Sequence, residues 1–339
     1  MTDLVTDPMT DKALHDAVQS ALRRRWPDSR LGSLETMHGG RSGVTLMAQV
    51  SDAPLGEVVV KAAPSGRAPV GRHDVLRQAR VLMAVARVPG VVVPHVLATG
   101  TEPVAFTVMT RALGDVVEPV LDAAEIHLPA ELARSRAQAA ARMLAALHRG
   151  AQPPARPDAT EEPVADLAAE VRRWRATADA ADPAILRGGV RLVQLLEKNR
   201  PPDDVPPVLV HGDYRLGNVV FAGERPTGLI DWEIWGRTHP GVDLGWFLVF
   251  CDAELFPGIG TPVAGLPSSD ELLDLYWSSG GCRFADVEWF EAFGRFKMAA
   301  IMAHNLRRHR EGRHVDPFQE KLPPTIERLV ATGLEKLGG

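Results

Sequence analysis

Apolar residues in the N-terminal third of the chain follow both helical and strand spacing. An apolar residue at every fourth position predicts an opening helix from Leu14 to Trp26. Two short apolar segments rich in valine, Val44 to Val50 and Val58 to Lys61, flank a turn and predict two strands. Helical spacing returns from Leu76 to Ala86. This part of the chain is therefore expected to combine a small sheet with helices.

The pattern becomes mostly helical in the rest of the chain. Apolar positions from Leu132 to Leu147 recur at helical spacing, and Ser268 and Glu271 have the spacing of a capping box that starts another helix. We therefore predict an α+β fold with a sheet-rich N-terminal lobe, residues 1–110, and a larger, mostly helical C-terminal lobe, residues 111–339. A length of 339 residues fits two such lobes.

Composition and charge narrow the classes of function. Hydrophobic residues make up 45% of the chain, which is enough for a large core. A net charge of -5 disfavours binding to nucleic acid or to an anionic membrane, and no apolar run reaches the ~20 residues of a membrane span. Cys251 and Cys282 have neither metal-site spacing nor a disulfide framework, and Met1 to Asp11 lacks the apolar segment of a secretory signal. We therefore expect a cytoplasmic protein.

The strongest chemical signal is the sequence HGDYRLGN at residues 211–218, followed by LIDWE at residues 229–233. Apolar residues around the two sequences predict a β-hairpin between them. Transfer of a phosphoryl group from Mg-ATP needs a carboxylate that receives the acceptor's proton, an amide oxygen that holds a metal, and a carboxylate that bridges metal and phosphates. We therefore assign Asp213 as the catalytic base, and Asn218 and Asp231 as ligands of Mg²⁺.

These motifs resemble the aminoglycoside phosphotransferase family, within the protein-kinase-like fold. The resemblance runs from Met37 to Ile301, and it is sharpest at HGDYRLGN, IDWE and the VDLGW of residues 242–246. In these motifs the chain is most similar to the kinase domains associated with acyl-CoA dehydrogenases. The resemblance implies two lobes with ATP in the cleft between them, and it implies that Asp243 braces the catalytic loop. We expect His211 to hold the same loop by hydrogen bonds rather than to take part in the chemistry.

Lys61 ends an apolar strand, at the place where a lysine of the resembled kinases contacts the α- and β-phosphates. A glutamate on the following helix normally holds that lysine, but Gln78 occupies the glutamate's position here. The amide of Gln78 accepts a hydrogen bond without supplying a charge. Asp74 lies one helical turn earlier on the same face and is the alternative partner. The sequence leaves the choice between Gln78 and Asp74 open.

Two further segments complete the predicted nucleotide site. Gly39, Gly40 and Ser42 precede the strand that starts at residue 44, where backbone N–H groups would approach phosphates closely. A plain glycine turn explains this segment almost as well. The resemblance places the linker between the lobes around Met109 and Arg111, where backbone groups would receive adenine.

We predict a small-molecule kinase that transfers the γ-phosphate of ATP to a hydroxyl of a small acceptor. A polycationic aminoglycoside would need several carboxylates beside the catalytic base. The candidates are Asp252, Glu254, Asp270, Glu271 and Asp274. Because acidic residues at helix starts are ordinary, a hydroxyacyl thioester, a sugar or another small alcohol remains equally open.

Two alternatives belong to other classes of protein. The first is a catalytically weak kinase-like protein that binds nucleotide or another ligand and acts as a regulator, which Gln78 and the weak glycine segment favour. The second is a protein kinase, which is disfavoured because no Asp-Phe-Gly or Ala-Pro-Glu sequence bounds an activation segment. The sequence indicates neither a preference between ATP and GTP nor the oligomeric state.

Overall fold

The computed structural model describes residues 8–37, 44–64, 71–154, 161–202 and 204–339. It shows the predicted kinase-like α+β fold, with a curled antiparallel sheet in the N-terminal region and a helical C-terminal part. The glycine segment predicted to approach phosphates, which includes Gly39, Gly40 and Ser42, lies outside the described residues. The lobe boundary at residue 110 stays a prediction.

Within the described residues, the N-terminal sheet has six strands. They are β1 (Arg30–Leu31), β2 (Glu35–Thr36), β3 (Val44–Ser51), β4 (Gly56–Ala62), β5 (Val96–Gly100) and β6 (Phe106–Thr110). Their order is β1-β3-β4-β6-β5, with β2 also paired to β3, and every pairing is antiparallel. Because side chains alternate along a strand, burial of Val58, Val60 and Ala62 places Lys61 on the opposite face of β4.

Two helices pack against this sheet, α1 (Pro8–Arg23) and α2 (Val75–Val85). The apolar face of α1 is buried in the core that it shares with the strands, and the helix begins earlier than Leu14. Asp74 is the N-cap of α2, and its carboxylate accepts a hydrogen bond from the backbone N–H of Arg77 at 2.8 Å. Such a cap satisfies a donor that the first helical turn leaves free.

The C-terminal part is built mainly from helices. They are α3 (Pro119–Asp122), α4 (Ala130–Gly150), α5 (Leu167–Asp179), α6 (Gly189–Lys198), α7 (Gly241–Phe250), α8 (Ser269–Ser278), α9 (Val287–Arg310) and α10 (Pro323–Lys336). Its strands are β7 (Val208–Val210), β8 (Val219–Ala222), β9 (Arg225–Leu229) and β10 (Gly236–Thr238). The predicted hairpin is confirmed as β8 with β9, and the capping box of Ser268 and Glu271 is confirmed at α8. β7 pairs with β10, which the sequence did not reveal.

Two helices form the centre of a hydrophobic core in the C-terminal part. Every residue of α7 is buried, and α7 packs along α9. Gly245 permits this close approach, because a Cβ there would lie 2.2 Å from the carbonyl oxygen of Phe290 on α9. The packing matters for chemistry because α7 carries Asp243 and Trp246, and α9 carries Lys297. None of the helices in the described residues combines the length and apolarity that crossing a membrane requires.

Candidate active site

The loop that carries Asp213 starts where the buried strand β7 ends. It runs through His211 and Gly212 into a short 3-10 helix, Leu216–Asn218. Gly212 has a φ of 84°, and a Cβ at this position would lie 2.5 Å from the carbonyl oxygen of Ile234. Only glycine fits a left-handed turn with so little space. The left-handed conformation of Gly212 therefore sets the direction of the backbone at Asp213.

Asp243 fixes the start of this loop from α7. Its fully buried carboxylate accepts hydrogen bonds from the backbone N–H groups of His211 at 2.6 Å and Gly212 at 2.8 Å. Burial alone would raise the pKa of Asp243, but the hydrogen bonds from His148 and from the backbone N–H of His211 lower it below its ordinary value. His148 is in turn hydrogen-bonded to Tyr276 at 2.8 Å. The bracing position that the sequence predicted for Asp243 is what the structure shows.

His211 is also held as predicted. Its Nε2 donates to the carbonyl oxygen of Ile230 at 2.8 Å, and its Nδ1 accepts from the N–H of Asp213 at 3.2 Å. This pattern requires one protonated nitrogen, so the ring is neutral. Burial lowers the pKa of His211, which agrees with the neutral form. The histidine therefore links the loop to the end of β9 through hydrogen bonds.

The Asp213 carboxylate is held at both oxygens. Trp246 donates its indole N–H to Oδ1 at 2.7 Å, and Asn218 donates its side-chain amide to Oδ2 at 2.8 Å. Arg215 places its Nε 3.5 Å from Oδ1. The Asp213 side chain is 22% exposed, so it can be reached from solvent. A carboxylate held in this way has a fixed orientation and retains lone pairs for a hydroxyl.

Lys297 supports the same loop from α9. This lysine is only 1% exposed, and its ammonium donates to the carbonyl oxygen of Gly212. The Nζ atom also lies 3.8 Å from the ring centre of Trp246 and 4.9 Å from that of Trp174. Burial lowers the pKa of Lys297 to about 8, although the negative charges of Asp213 and Asp243 raise it in part. The lysine therefore contacts both the loop backbone and the indole that holds Asp213.

Asn218 and Asp231 lie at the adjoining ends of the paired strands β8 and β9. The backbone N–H of Ile230 donates to the carbonyl oxygen of Asn218 at 2.9 Å, which sets Asp231 beside it. The Nδ2 of Asn218 is used by Asp213, so its Oδ1 remains as an acceptor. An amide oxygen and a carboxylate suit Mg²⁺, which completes its shell with water and phosphate. The described residues contain no larger cluster of His, Cys, Asp and Glu that could hold a metal.

Lys61 reaches across from β4 to this pair. Its Nζ lies 3.2 Å from Asp231 Oδ1 and 3.4 Å from Gln78 Oε1. Asp74, the alternative partner, is used as the cap of α2 and lies 3.8 Å from Arg80. The structure therefore brings Gln78, and not Asp74, to Lys61.

A buried carboxylate lies on the other side of the loop. Glu118 is 3% exposed; its Oε2 accepts hydrogen bonds from Arg215 at 3.1 Å and from the N–H of Gly217 at 2.8 Å. Its other oxygen, Oε1, has no hydrogen-bond partner among the described residues. Burial raises the pKa of Glu118 to about 7, which Arg215 only partly opposes. Arg215 therefore lies between Glu118, whose pKa is near neutral, and the carboxylate of Asp213.

The two linker residues occupy different surroundings. Met109 is buried in a hydrophobic cluster with residues of α2, α4 and α7, and it pairs with β4 and β5 as part of the sheet. Arg111 follows β6, and its guanidinium forms an ion pair with Glu57. The side chain of Arg111 is thus engaged on the sheet, so only backbone atoms near it are candidates for contact with adenine.

Residues 38–264 match the model of the phosphotransferase enzyme family, known as APH, which covers more than half of the chain. The chain belongs to the phosphotransferase enzyme family. The predicted resemblance to aminoglycoside phosphotransferases, and to the kinase domains associated with acyl-CoA dehydrogenases, is confirmed by the relatives of this phosphotransferase-family chain.

Two curated relatives are much longer proteins. The chain is 29% identical over 175 residues to acyl-CoA dehydrogenase family member 11 of Homo sapiens, which covers 49% of the chain and 22% of that protein. It is 25% identical over 307 residues to acyl-CoA dehydrogenase family member 10 of Mus musculus, which covers 85% of the chain and 28% of that protein. The chain thus spans less than a third of either relative.

Solved structures share the fold over nearly the whole chain. A Ralstonia eutropha JMP134 protein assigned to the aminoglycoside phosphotransferases superposes with a TM-score of 0.74 at 20% identity, over 95% of this chain and 98% of that one. The macrolide 2'-phosphotransferase MphH of Brachybacterium faecium superposes with a TM-score of 0.55 at 19% identity, over 92% of this chain and 97% of that one. A thermostable mutant of the aminoglycoside phosphotransferase APH(4)-Ia, in a ternary complex with ADP and hygromycin B, superposes with a TM-score of 0.56. Its identity is 13%, over 94% of this chain and 99% of that one. At these identities the similarity establishes the fold alone.

Sequence reasoning missed part of this site. Trp246 stands in the motif VDLGW and is buried, and its hydrogen bond to Asp213 was not predicted. Glu118 and Lys297 were not singled out, and a charged residue within an apolar helical pattern was the available signal for Lys297. Arg215 stood inside the motif itself, two residues after Asp213. The missed contacts all concern the orientation of Asp213.

Proposed function

We propose that this phosphotransferase-family chain is a small-molecule kinase that transfers the γ-phosphate of ATP to a hydroxyl group of its acceptor. The observation that carries the proposal is the pair of hydrogen bonds from Trp246 and Asn218 to Asp213, beside the contact between Lys61 and Asp231. A fixed carboxylate, an amide oxygen, a second carboxylate and a lysine are the groups that phosphoryl transfer from Mg-ATP uses.

Asp213 would orient the acceptor hydroxyl and receive its proton. An ordinary carboxylate is a weak base for an alcohol, so most of its effect would come from positioning the hydroxyl for in-line attack. The guanidinium of Arg215, 3.5 Å from Asp213, is placed to offset negative charge on the group being transferred. When bound, Mg-ATP supplies the phosphoryl group and a cation that neutralises its charge.

Asn218 and Asp231 would hold Mg²⁺, and Lys61 would contact the α- and β-phosphates. Gln78 would steady Lys61 through a neutral hydrogen bond. The glycine segment with Gly39, Gly40 and Ser42 would cover the phosphates, and backbone atoms around Met109 and Arg111 would receive adenine. The assignment of the glycine segment rests on the backbone freedom of its glycines, and that of the linker on the family resemblance.

The surroundings favour an acceptor other than a polycation. Of the acidic residues that follow the catalytic region, Glu271 completes the capping box of α8 and pairs with Arg134, and Asp252 caps a 3-10 helix. Glu254 lies 3.8 Å from Arg328. Carboxylates occupied as caps and ion pairs contribute little to an anionic pocket, and among the five candidates Asp270 and Asp274 alone form no such contact with the described residues. We therefore infer a hydroxylated metabolite, such as a hydroxyacyl thioester or a sugar, which agrees with relatives named as acyl-CoA dehydrogenase family members.

A second candidate is a nucleotide-binding regulator with weak catalysis. It is favoured by one observation, the uncharged Gln78 beside a lysine that is already paired with Asp231. This candidate binds Mg-ATP but turns it over slowly with every acceptor.

Two measurements test the proposal. Mg-ATP at ~100 times its Kd should stabilise the protein by about 2.7 kcal/mol, and Asp231→Ala should abolish that gain. ADP release is then screened with a panel of hydroxylated metabolites, thioesters and antibiotics. Release that rises with a small alcohol and not with peptides supports the kinase. Stabilisation without acceptor-dependent release supports the regulator, and no stabilisation contradicts both.

A further inference from the structure

A second concave surface lies apart from the proposed phosphotransfer site. It is an open groove with a volume of about 860 Å³, inside the range of about 300–1,000 Å³ that is typical of small-molecule sites. Its lining includes none of Lys61, Asp213, Asn218 and Asp231. The walls come from the segment after α2, the residues that follow β6, one face of α4 and the start of β9.

Four arginines line this surface, which we name the arginine groove: Arg111, Arg142, Arg149 and Arg225. Arg142 and Arg149 are two helical turns apart on α4 and so share a face. Among the described residues, no aspartate or glutamate contributes to the lining. The chain as a whole carries a net charge of -5, so positive charge is concentrated here against the overall balance. Such a lining favours an anionic ligand.

The four arginines differ in what already holds them. Arg111 forms an ion pair with Glu57, and Arg149 donates to the carbonyl oxygen of Ser279. Arg142 and Arg225 are exposed and form no ion pair with any residue that the structure describes. A planar guanidinium with free donors binds phosphate or carboxylate through paired hydrogen bonds. Arg142 and Arg225 are therefore the groups available to an incoming anion.

The same groove also presents apolar surface. Leu113 is 65% exposed and Val92 is 40% exposed, and both contribute to the lining. Met143 and Ala146, which are buried residues of α4, lie among the arginines along the same helix. Large apolar side chains that remain exposed beside a concave surface commonly mark a binding site. Free inorganic phosphate would leave this apolar surface uncovered.

We propose that the arginine groove binds an amphiphilic small-molecule anion, with a phosphate or carboxylate on Arg142 and Arg225 and an apolar body against Leu113 and Val92. Among the described residues predicted to contact Mg-ATP, Arg111 lines the groove, through a side chain that is paired with Glu57, whereas Lys61, Asn218 and Asp231 do not line it. Binding there does not depend on whether the phosphotransfer proposed above is correct.

The first test uses octyl phosphate, below the concentration at which it forms micelles, in isothermal titration calorimetry. Octyl glucoside carries the same apolar chain without charge, and inorganic phosphate carries the charge without the chain. We expect octyl phosphate to bind at least about tenfold more tightly than either, because only it uses both features of the groove. Equal binding of octyl glucoside or of inorganic phosphate would overturn the proposal.

Variants then locate the binding. The double variant Arg142→Gln with Arg225→Gln should bind octyl phosphate about tenfold or more weakly, because charge-assisted hydrogen bonds are lost. The matched control, Arg187→Gln with Arg191→Gln, removes two exposed arginines outside the groove and should leave the affinity unchanged. Leu113→Ser should weaken the binding of octyl phosphate and leave the binding of inorganic phosphate unaffected. Saturation with Mg-ATP should not displace octyl phosphate. An equal loss in both double variants, or displacement by Mg-ATP, would place the ligand elsewhere.

Discussion

The two sides of the proposed phosphotransfer site are held together differently. In the large lobe, Asp213 lies on a loop fixed by the buried residues Asp243 and Lys297, and its carboxylate accepts from Trp246. In the small lobe, Lys61 has a 3.4 Å hydrogen bond to the uncharged Gln78 and an ion pair with Asp231 of the other lobe.

The difference separates positioning of the acceptor from binding of the nucleotide. The loop is held by contacts with α7 and α9, so its support should affect turnover. The contact between Lys61 and Asp231 must open if both groups bind phosphates and metal. Because that pair is partly exposed, opening it costs little, on the order of 0–1 kcal/mol. Changes on this side should therefore affect nucleotide affinity.

The largest effect is expected for Asp213→Asn. The amide cannot receive the acceptor's proton, so turnover should fall by ~10²-fold or more, while the stabilisation by Mg-ATP stays near that of the wild type. Steady-state ADP release and thermal unfolding with Mg-ATP measure the two quantities. Asp28→Asn, at an exposed aspartate in the turn that follows α1, is the matched control. Near-normal turnover of the Asp213 variant would reject this assignment of the base.

A smaller effect is expected for Lys297→Met. Methionine fills a similar volume but frees the Gly212 carbonyl and removes the charge beside Trp246, so kcat should fall by about tenfold with little change in the KM for ATP. Tryptophan fluorescence should change as well, because the ammonium lies over an indole ring. Lys198→Met, at the exposed end of α6, serves as the control. Unchanged kcat and fluorescence would show that Lys297 does not position the loop.

Gln78→Glu tests the small-lobe side. A carboxylate at this position should draw Lys61 away from Asp231, and the KM for ATP should fall by about two- to fivefold with kcat nearly unchanged, since charge-assisted hydrogen bonds are stronger. Asp74→Asn keeps a cap on α2 and should leave the KM for ATP unchanged. A KM that rises in the Gln78 variant would mean that the native contact between Lys61 and Asp231 already suits the nucleotide.

The smallest effect on turnover is expected for Glu118→Gln, whose clearest signature is in stability. Burial raises the pKa of Glu118 from 4.5 to about 7 in the folded state. The folded protein therefore binds an extra proton between these values, and its stability falls as the pH rises from 4.5 through about 7. Urea unfolding from pH 5 to 8 should show this loss in the wild type and a flatter profile in the variant. Parallel profiles would contradict the raised pKa.

Much of the site was readable from local spacing. HGDYRLGN places Asp213 and Asn218 five positions apart, and the flanking apolar segments predicted the hairpin of β8 and β9 that carries Asp231 to them. The strand alternation of β4 placed Lys61 opposite its buried neighbours. The partner of Lys61 was not readable, because Asp74 and Gln78 share a helical face, and only the cap at Arg77 removes Asp74 from the choice.

The sequence by itself determined the family, the fold and the candidate phosphotransfer residues, because these depend on side-chain chemistry at short, regular spacings. Tertiary structure alone decided how Asp213 is oriented. Its contact with Trp246 joins residues 33 positions apart, and the contact of Lys297 with Gly212 joins residues 85 positions apart. Those contacts depend on how closely α7 and α9 pack, which is set by the space at Gly245 and Phe290. An apolar helix that is buried on every side carries no sequence signal for which neighbour each face will meet.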